Sequence, residues 1–245
     1  MKTIVSGIQP SGPMHLSNDF GTVSNWKELS KESSYFFVAD LHAMTNDYDP
    51  SSLKNNVALM RATLAAMEIP HFVQSKIKEH TELQWHLNSI ARVGWLNRMV
   101  QYKSKAQSDD AETISVGLYT YPILQAADIL LYQGDFEDQT IVPIGQDQVQ
   151  HIQLVRDIVI RANNKLGNVF VLPEPVMDIQ APKIMSLYDP LKKMSKSDVD
   201  DFTRINFTDD DDYIAQKIKK ATSDQYYLPD NKNELMYRPA AMNLV

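Results

Sequence analysis

The chain has 245 residues, which is enough to bury the core of one large domain, or of one domain with a small appendage. Its formal net charge of −7 argues against a dedicated DNA-binding protein with a basic face, but leaves room for a local basic patch that contacts RNA. Because the chain contains no cysteine, it has neither a disulfide framework nor a cysteine-ligated zinc site. The sequence shows no signal peptide and no apolar run long enough to span a membrane, so we expect a cytoplasmic protein.

Short apolar runs alternate with amphipathic segments along the chain. The fully apolar run at 35–39 is typical of a central parallel strand. Other strands are predicted at 3–8, 72–74, 141–145 and 169–172. Helices are predicted at 18–29, from Pro50 onward, at 81–102, at 121–132, from Gln146 onward and at 213–220. This alternation predicts an α/β fold built on a doubly wound parallel sheet of the Rossmann type, with small helical elements towards the C-terminus.

Polar residues follow several of the predicted strands. In a doubly wound sheet, ligands bind outside the carboxyl ends of the strands. That rule selects the stretch 9–18, the pair Asp40 and His42, and the stretch 145–148. We expect these strand ends to converge on one crevice.

Two short polar motifs lie far apart in the chain. The stretch 10–18 is a turn with glycine and proline after an apolar strand, and it places the His15 imidazole and the Asn18 amide where a helix begins. The stretch 193–197 places the ammonium groups of Lys193 and Lys196 on a short polar loop. Chemistry at the α-phosphate of ATP needs hydrogen-bond donors at one end of the triphosphate and mobile positive charge at the other. Together, the two motifs indicate an ATP site.

Five segments in a fixed order carry a closer resemblance. They are Ser6–Gly12, Tyr121–Tyr132, Val142–His151, Ile184–Pro190 and Lys193–Ser197. On these segments the chain resembles the tryptophanyl-tRNA synthetases, which are class I aminoacyl-tRNA synthetases, over essentially its whole length. The resemblance implies a Rossmann-type catalytic domain at 1–190, with a helical insertion at about 80–120. Residues 191–245 would then hold the KMSKS loop and the beginning of a helical C-terminal region.

The resemblance also implies a reaction and its partners. The carboxylate of L-tryptophan attacks the α-phosphorus of ATP, which gives tryptophanyl-adenylate and pyrophosphate, and the acyl group then passes to the 3′ end of tRNA(Trp). Such a reaction relies on positioning and charge stabilisation more than on covalent chemistry by the protein. The family suggests a homodimer. ATP implies Mg²⁺, which we expect the phosphates and water to hold rather than a metal site of the protein.

Residue by residue, the family match assigns an ATP site. His15 corresponds to the HIGH-like signature and, with Lys193, Lys196 and Lys105, is expected to stabilise the phosphates during the reaction. The residues expected to contact ATP are Gln9, Ser17, Asn18, Gly145, Asp147, Ile184 and Met194. Asp147 also suits the first turn of a helix, where its charge interacts favourably with the helix dipole.

Asp128 is the residue that we expect to select the amino acid. It lies in a nearly apolar helix, where a carboxylate is costly unless it has a partner. An indole N–H can only donate, so its partner in the protein must be an acceptor, and the family match assigns that role to Asp128. Tyr121 and Gln148 would hold the α-ammonium group, and His42 the carboxylate region. The other residues expected to line the tryptophan site are Gln125, Val142, Ile144 and Val5.

The sequence departs from the usual family pattern at several positions. Ser17 replaces a glycine of the ATP signature, Val5 replaces a phenylalanine that faces the indole, and Gln125 stands where some members have methionine. The segment at 134–140 is longer than usual. At 238–245 the chain stops where the family continues into a helical domain that binds the anticodon, so most of that domain is expected to be absent.

Three alternative functions follow from the same residues. Tyrosine-activating relatives also place tyrosine, glutamine and aspartate on the equivalent helix, although the segment 145–151 favours tryptophan. A non-catalytic paralogue could bind tryptophan or ATP without turnover, but His15, Lys193 and Lys196 are residues that a mere binding protein does not need. The adenylate could also be transferred to an acceptor other than tRNA.

Overall fold

The computed structural model describes residues 2–18, 23–30, 33–45, 47–99, 115–133, 139–145, 148–177, 184–196, 198–229 and 231–245. The strands are β1 (Lys2–Ile8), β2 (Ser33–Val38), β3 (Phe72–Val73), β4 (Gln139–Ile144) and β5 (Glu174–Met177). The α-helices are α1 (Leu16–Asn18), α2 (Ser24–Leu29), α3 (Asp40–Ala43), α4 (Pro50–Ala66), α5 (Glu79–Asn88), α6 (Val93–Leu96), α7 (Val116–Leu130), α8 (Val149–Leu166), α9 (Asp211–Lys220) and α10 (Pro239–Leu244). Short 3₁₀ turns span Gln74–Lys76, Asp201–Thr203 and Lys232–Tyr237.

The chain divides into two compact units. The larger one, here called the sheet unit, comprises Met1–Pro10 and Lys27–Ile179. The second, here called the small unit, comprises Ser11–Trp26 and Gln180–Val245. The domain boundary predicted at residue 190 stays a prediction. None of the helices in the described ranges is long and apolar enough to cross a membrane.

The sheet unit is built on five parallel strands in the order β3-β2-β1-β4-β5. The chain adds β2 and β3 on one side of β1 and then returns to add β4 and β5 on the other side. This confirms the predicted doubly wound sheet. The strand order reverses at β1, and in such sheets the crevice at the reversal is where ligands bind.

The core of the sheet unit packs α7 and α8 against β4. Ser115 begins α7, because its hydroxyl accepts a hydrogen bond from the backbone N–H of Leu118 at 3.0 Å. The rest of α7 is almost entirely apolar and buried. One face of α8 joins it through residues at helical spacing, namely Ile152, Val155, Ile158, Val159 and Ala162. The only carboxylate of α7, Asp128, is therefore held inside a hydrophobic core.

Two predicted helices begin at aspartate caps. Asp49 accepts a hydrogen bond from the N–H of Ser52 at 2.7 Å and begins α4. Asp210 accepts from the N–H of Tyr213 at 2.8 Å and begins α9, whose last turn carries three lysines. Both arrangements satisfy backbone donors at the N-terminus, and in α9 the charges match the helix dipole. The helix predicted at 213–220 is thus confirmed.

Two other predictions need correction. The helix predicted at 81–102 is divided into α5 and α6 within the part of this range that the structure describes. The strand predicted at 169–172 is wrong, because the strand lies at β5 instead. The Asn163 side chain explains the difference. It accepts from the N–H groups of Val169 and Phe170 at 3.1 and 3.0 Å and donates to the Phe170 carbonyl at 2.7 Å, which binds this apolar segment to the end of α8.

In the small unit, backbone hydrogen bonds connect the two stretches of chain that form it. The N–H of Leu16 donates to the carbonyl of Ile205 at 3.1 Å, and the N–H of Phe207 donates to the carbonyl of Met14 at 2.9 Å. His15 lies between these bonds and is opposite Asn206 in an antiparallel bridge. A short strand pairing therefore fixes the backbone at His15.

Candidate active site

Asp128 is the centre of a buried polar cluster in the sheet unit. Its side chain is on α7 and only 2% of the residue is exposed. His42 of α3 donates from Nε2 to Asp128 Oδ2 at 2.7 Å. Gln74, in the turn after β3, donates from Nε2 to Oδ1 at 2.7 Å, and His80 of α5 donates from Nδ1 to the same oxygen at 2.6 Å. Three donors from three other elements therefore converge on one carboxylate.

The cluster keeps Asp128 ionised. Burial on its own opposes ionisation, but the hydrogen bonds from His42 and His80 outweigh it, so the pKa of Asp128 lies below its ordinary value. An ionised carboxylate has about four acceptor positions. Oδ1 receives two of the three donors and Oδ2 receives one. Asp128 can therefore accept one more hydrogen bond, and Oδ2 is the oxygen with the capacity for it.

The other residues predicted to bind tryptophan are also in the sheet unit. Tyr121 is buried on α7, and its hydroxyl hydrogen-bonds His151 Nε2 at 2.8 Å. The Gln125 amide donates to Gln148 Oε1 at 3.2 Å. Three buried apolar side chains belong to the central strands, Val5 in β1 and Val142 and Ile144 in β4. His42 binds Asp128, so its predicted role at the substrate carboxylate stays a prediction.

Four side chains of this region were missed by the sequence analysis. Gln74 and His80 bind Asp128 directly, Tyr132 hydrogen-bonds His80, and His151 hydrogen-bonds Tyr121. Gln74 and His80 are 54 and 48 residues away from Asp128 in the sequence. No local pattern connects partners at such separations. In the sequence, the only indication of these partners of Asp128 was a histidine on an otherwise ordinary helix.

The turn around His15 is organised by Asn18. The Asn18 side-chain oxygen accepts from the backbone N–H of His15 at 3.2 Å, and the Asn18 N–H donates to the His15 carbonyl at 2.8 Å. This reciprocal pair leaves the Asn18 side-chain N–H₂ as a donor. Ser17 is buried. Before the turn, Gly12 adopts φ of +146°, a left-handed conformation that favours glycine.

His15 is neutral at physiological pH. Burial contributes most, and the cationic side chains of Lys196, Arg204 and Lys193 add to it, so that the pKa of His15 falls to about 4. Only 3% of the residue is exposed, and its Nδ1 has no hydrogen-bond partner among the described residues. A neutral imidazole carries one N–H donor, which is suited to a phosphate oxygen.

The predicted KMSKS loop begins as a short paired turn. The N–H of Ser186 donates to the Lys192 carbonyl at 2.7 Å, and the N–H of Met194 donates to the Ile184 carbonyl at 3.1 Å. Met194 is buried beneath the loop, whereas Lys193 is exposed. Lys196 is half-buried, and its ammonium donates only to the Gly12 carbonyl, at 3.4 Å, among the residues described. Burial lowers the pKa of Lys196 to about 8.

The remaining predicted ATP contacts are placed unevenly. Gln9 follows β1, and Gly145 follows β4, where its carbonyl accepts from the N–H of Gln148 at 3.0 Å. Lys105 and Asp147 lie outside the described residues. Within the described ranges, no three histidine or acidic side chains are grouped so that they could hold a metal ion.

A sequence model of one family covers almost the whole chain. The family is described as "tRNA synthetases class I (W and Y)", and the match extends over residues 1–243. The chain belongs to this family. Its members act on tryptophan or tyrosine, according to that description. This confirms the resemblance inferred from the sequence.

Individual members of the class I family are similar over 94–100% of the chain. The tryptophan–tRNA ligase of Rickettsia conorii is 45% identical over 251 residues, covering 100% of this chain and 74% of that protein. The crystal structure of the tryptophanyl-tRNA synthetase of Mycoplasma pneumoniae matches with a TM-score of 0.80 at 37% identity, covering 100% of this chain and 71% of that one. The Campylobacter jejuni enzyme, crystallised with ADP and tryptophan, matches with a TM-score of 0.78 at 33% identity, covering 94% and 70%.

Proposed function

We propose that the chain is the catalytic core of a tryptophan–tRNA ligase, which activates L-tryptophan with ATP and transfers it to tRNA(Trp). The observation that carries the proposal is the ionised, buried carboxylate of Asp128, which has capacity for one more hydrogen bond. An indole N–H placed in the sheet unit would find there the acceptor that it needs. The tryptophan–tRNA ligases at 42–45% identity support this amino acid over tyrosine.

The first proposed step joins tryptophan to AMP. A carboxylate oxygen of tryptophan attacks the α-phosphorus of ATP, the bond from that phosphorus to the bridging oxygen breaks, and pyrophosphate leaves with the charge. Tyr121 and Gln148 would hold the α-ammonium group, and Val5, Val142 and Ile144 would pack against the indole. Gln125 and His42 would complete the tryptophan set. Held in this way, the carboxylate attacks as if the reaction were intramolecular.

Negative charge moves onto the pyrophosphate during this step, and the small unit supplies the groups to stabilise it. Lys196 and Lys193 would follow the charge as the bond breaks, and the neutral His15 would donate an N–H to a phosphate oxygen. Lys105 would add a further cation. Gln9, Ser17, Asn18, Gly145, Asp147, Ile184 and Met194 would bind the rest of ATP.

In the second proposed step, a hydroxyl of the terminal ribose of tRNA attacks the acyl carbon, and AMP leaves together with a proton. Mg²⁺ would accompany ATP, held by phosphate oxygens and water. We also propose that the protein is a homodimer in the cytoplasm.

Amino-acid-dependent exchange of pyrophosphate into ATP tests the first step. Tryptophan and tyrosine are offered separately to the wild-type chain and to a Lys196→Ala variant. The expected result is exchange with tryptophan alone, which falls by about 10²–10³ in the variant. Exchange with tyrosine alone would assign the chain to the tyrosine-activating branch. Binding of tryptophan without exchange would identify a non-catalytic paralogue.

Charging of a tRNA(Trp) transcript tests the second step. A chain that exchanges pyrophosphate but leaves the tRNA uncharged would transfer its adenylate to another acceptor. The molecular mass of the protein in solution tests the proposed homodimer. A monomer that is active in pyrophosphate exchange would contradict it.

A further inference from the structure

Asp128 has a supporting layer of its own, formed by side chains that the proposed reaction does not use. Gln74 and His80 both have 0% of their surface exposed, and both donate to Oδ1 of Asp128. We infer that these two residues are positioning residues for substrate selection. They occupy both acceptor positions of Oδ1, so that Oδ2 is the oxygen that accepts a hydrogen bond from a ring N–H of the amino acid. This inference rests on the proposed function.

The direction of each hydrogen bond follows from its other partner. The Gln74 side-chain oxygen accepts from the backbone N–H of Leu41 at 3.2 Å, so the amide nitrogen must face Asp128. His80 Nε2 contacts the Tyr132 hydroxyl at 2.8 Å. When His80 is neutral and donates from Nδ1 to the carboxylate, Nε2 accepts the Tyr132 proton. Tyr132 therefore fixes the tautomer of His80, although it does not touch Asp128.

Aromatic rings fix the orientation of the His80 imidazole. Its centroid lies 5.5 Å from that of Tyr132, 5.6 Å from that of Phe37 and 6.1 Å from that of Phe72. Tyr132 is itself stacked on Tyr35 at 4.4 Å. Surrounded in this way, His80 cannot rotate away from Asp128 without moving several rings. The carboxylate plane is thus set before any substrate arrives.

A carboxylate with a single usable acceptor position rejects a ring that cannot donate. A substrate without the N–H would leave the charged Oδ2 facing an apolar atom in a buried site, and hydrogen bonds to charged groups discriminate by roughly 10- to 150-fold. If Oδ1 were released from His80 and Gln74, the carboxylate could turn, and this discrimination would fall.

A substrate pair measures this property directly. The probes are L-tryptophan and 3-(1-benzothiophen-3-yl)-L-alanine, which has the same shape but a sulfur atom in place of the N–H. For each variant, kcat/KM for pyrophosphate exchange is measured with both, and their ratio is taken. Because both substrates meet the same enzyme preparation, a loss of folded protein cancels in the ratio. A merely structural role of His80 therefore leaves the ratio unchanged.

The variants form a graded series. His80→Leu and Gln74→Leu remove donors to Oδ1, and we expect the tryptophan preference to fall roughly tenfold in each. His80→Asn can still donate from the position of Nδ1, and we expect it to retain most of the preference. Tyr132→Phe leaves every contact of Asp128 in place, and we expect a two- to tenfold fall because His80 is free to change tautomer. This last variant keeps the test decisive if His80→Leu does not fold.

Unchanged ratios in His80→Leu, Gln74→Leu and Tyr132→Phe would overturn the inference. A ratio near 1 in the wild type would also overturn it, because Asp128 would then not read the N–H at all. Both outcomes leave exchange with tryptophan intact, so they are distinct from failure of the proposed function, in which the wild type shows no exchange with tryptophan.

Discussion

Asp128 in the sheet unit and Lys196 in the small unit respond differently to the same influence, which is the removal of a charge from water. The pKa of each lies below its ordinary value. For Asp128 this means that the charge is secured, because three donors within 2.7 Å outweigh burial. For Lys196 it means that the charged form is less favoured, because among the described residues only the Gly12 carbonyl, at 3.4 Å, accepts from its ammonium to offset burial. The buried charge of Asp128 is thus stabilised by the protein itself, whereas the charge of Lys196 would be stabilised by an added anion.

The largest expected effect comes from removing the carboxylate of Asp128, which tests whether its three donors depend on it. Asp128→Ala leaves His42, His80 and Gln74 buried around a missing acceptor, and we expect the free energy of unfolding to fall by about 3–5 kcal/mol. Urea denaturation measures the loss. Asp157→Ala is the matched control, because that carboxylate is on the surface of α8 and accepts from Gln153, at 3.1 Å. If Asp128→Ala lowered the free energy of unfolding no more than Asp157→Ala does, the hydrogen bonds to Asp128 would not be made as described.

The complementary change is Lys196→Ala. Because its ammonium has only one long hydrogen bond among the described residues, stability should change little. In contrast, kcat for pyrophosphate exchange should fall by about 10²–10³, as when one donor to a developing charge is removed. The dissociation constant for tryptophan should stay the same. Lys192→Ala is the control, since Lys192 is exposed and paired with Asp198, and less than a threefold change is expected. Equal losses in kcat and in tryptophan binding would contradict a role in the transition state.

A methyl group added next to the Asp128 cluster tests how tightly the rings around His80 are packed. In Gly7→Ala, the new Cβ on β1 would lie 2.5 Å from Cε2 of Phe37, one of the rings around His80. Since Phe37 is itself buried, we expect a destabilisation of about 1–3 kcal/mol, measured by thermal or urea denaturation. Gly94→Ala, which meets no atom within 4 Å on α6, is the control. A stable Gly7→Ala protein would show that the rings can move and that His80 is less firmly held.

The smallest predicted effect is a pH dependence of the Lys196 charge. With its pKa lowered to about 8, Lys196 is cationic below that pH and loses its proton above it. At low ATP concentration, kcat/KM should therefore fall about fivefold between pH 8 and 9, because this parameter reports on the free enzyme. Lys196→Arg keeps its charge at these pH values, so the decline should move to higher pH. The same decline in both proteins would assign it to another group.

The sequence was sufficient to predict most strands of the sheet unit and the type of sheet that they form. Apolar runs predicted β1, β2, β3 and β4, and the alternation with helices predicted a doubly wound sheet. Asp128 stood out because a carboxylate in an apolar helix demands partners, and the structure places three around it. The roles that the family match assigns to His15, Lys196 and the tryptophan-binding residues stay predictions.

The sequence was not sufficient where a side chain decides the outcome. The segment 169–172 has the composition of a strand, but Asn163 hydrogen-bonds its backbone groups first. The same limit applies to the supporting layer of Asp128. Nothing near Gln74 or His80 in the sequence points to α7, because such pairs exist only once the sheet has brought distant segments together.

The bonds to Asp128 close loops of 48, 54 and 86 residues, so they form only when distant segments of the chain have come together. A nascent or partly unfolded chain cannot assemble this acceptor, however much helix or strand it has already formed. Binding of tryptophan would then indicate that the sheet unit is fully folded. The amino acid would in turn shift the folding equilibrium towards the finished chain, in proportion to the logarithm of its concentration once this exceeds its dissociation constant. Cellular tryptophan would thus help to maintain the protein proposed to consume it.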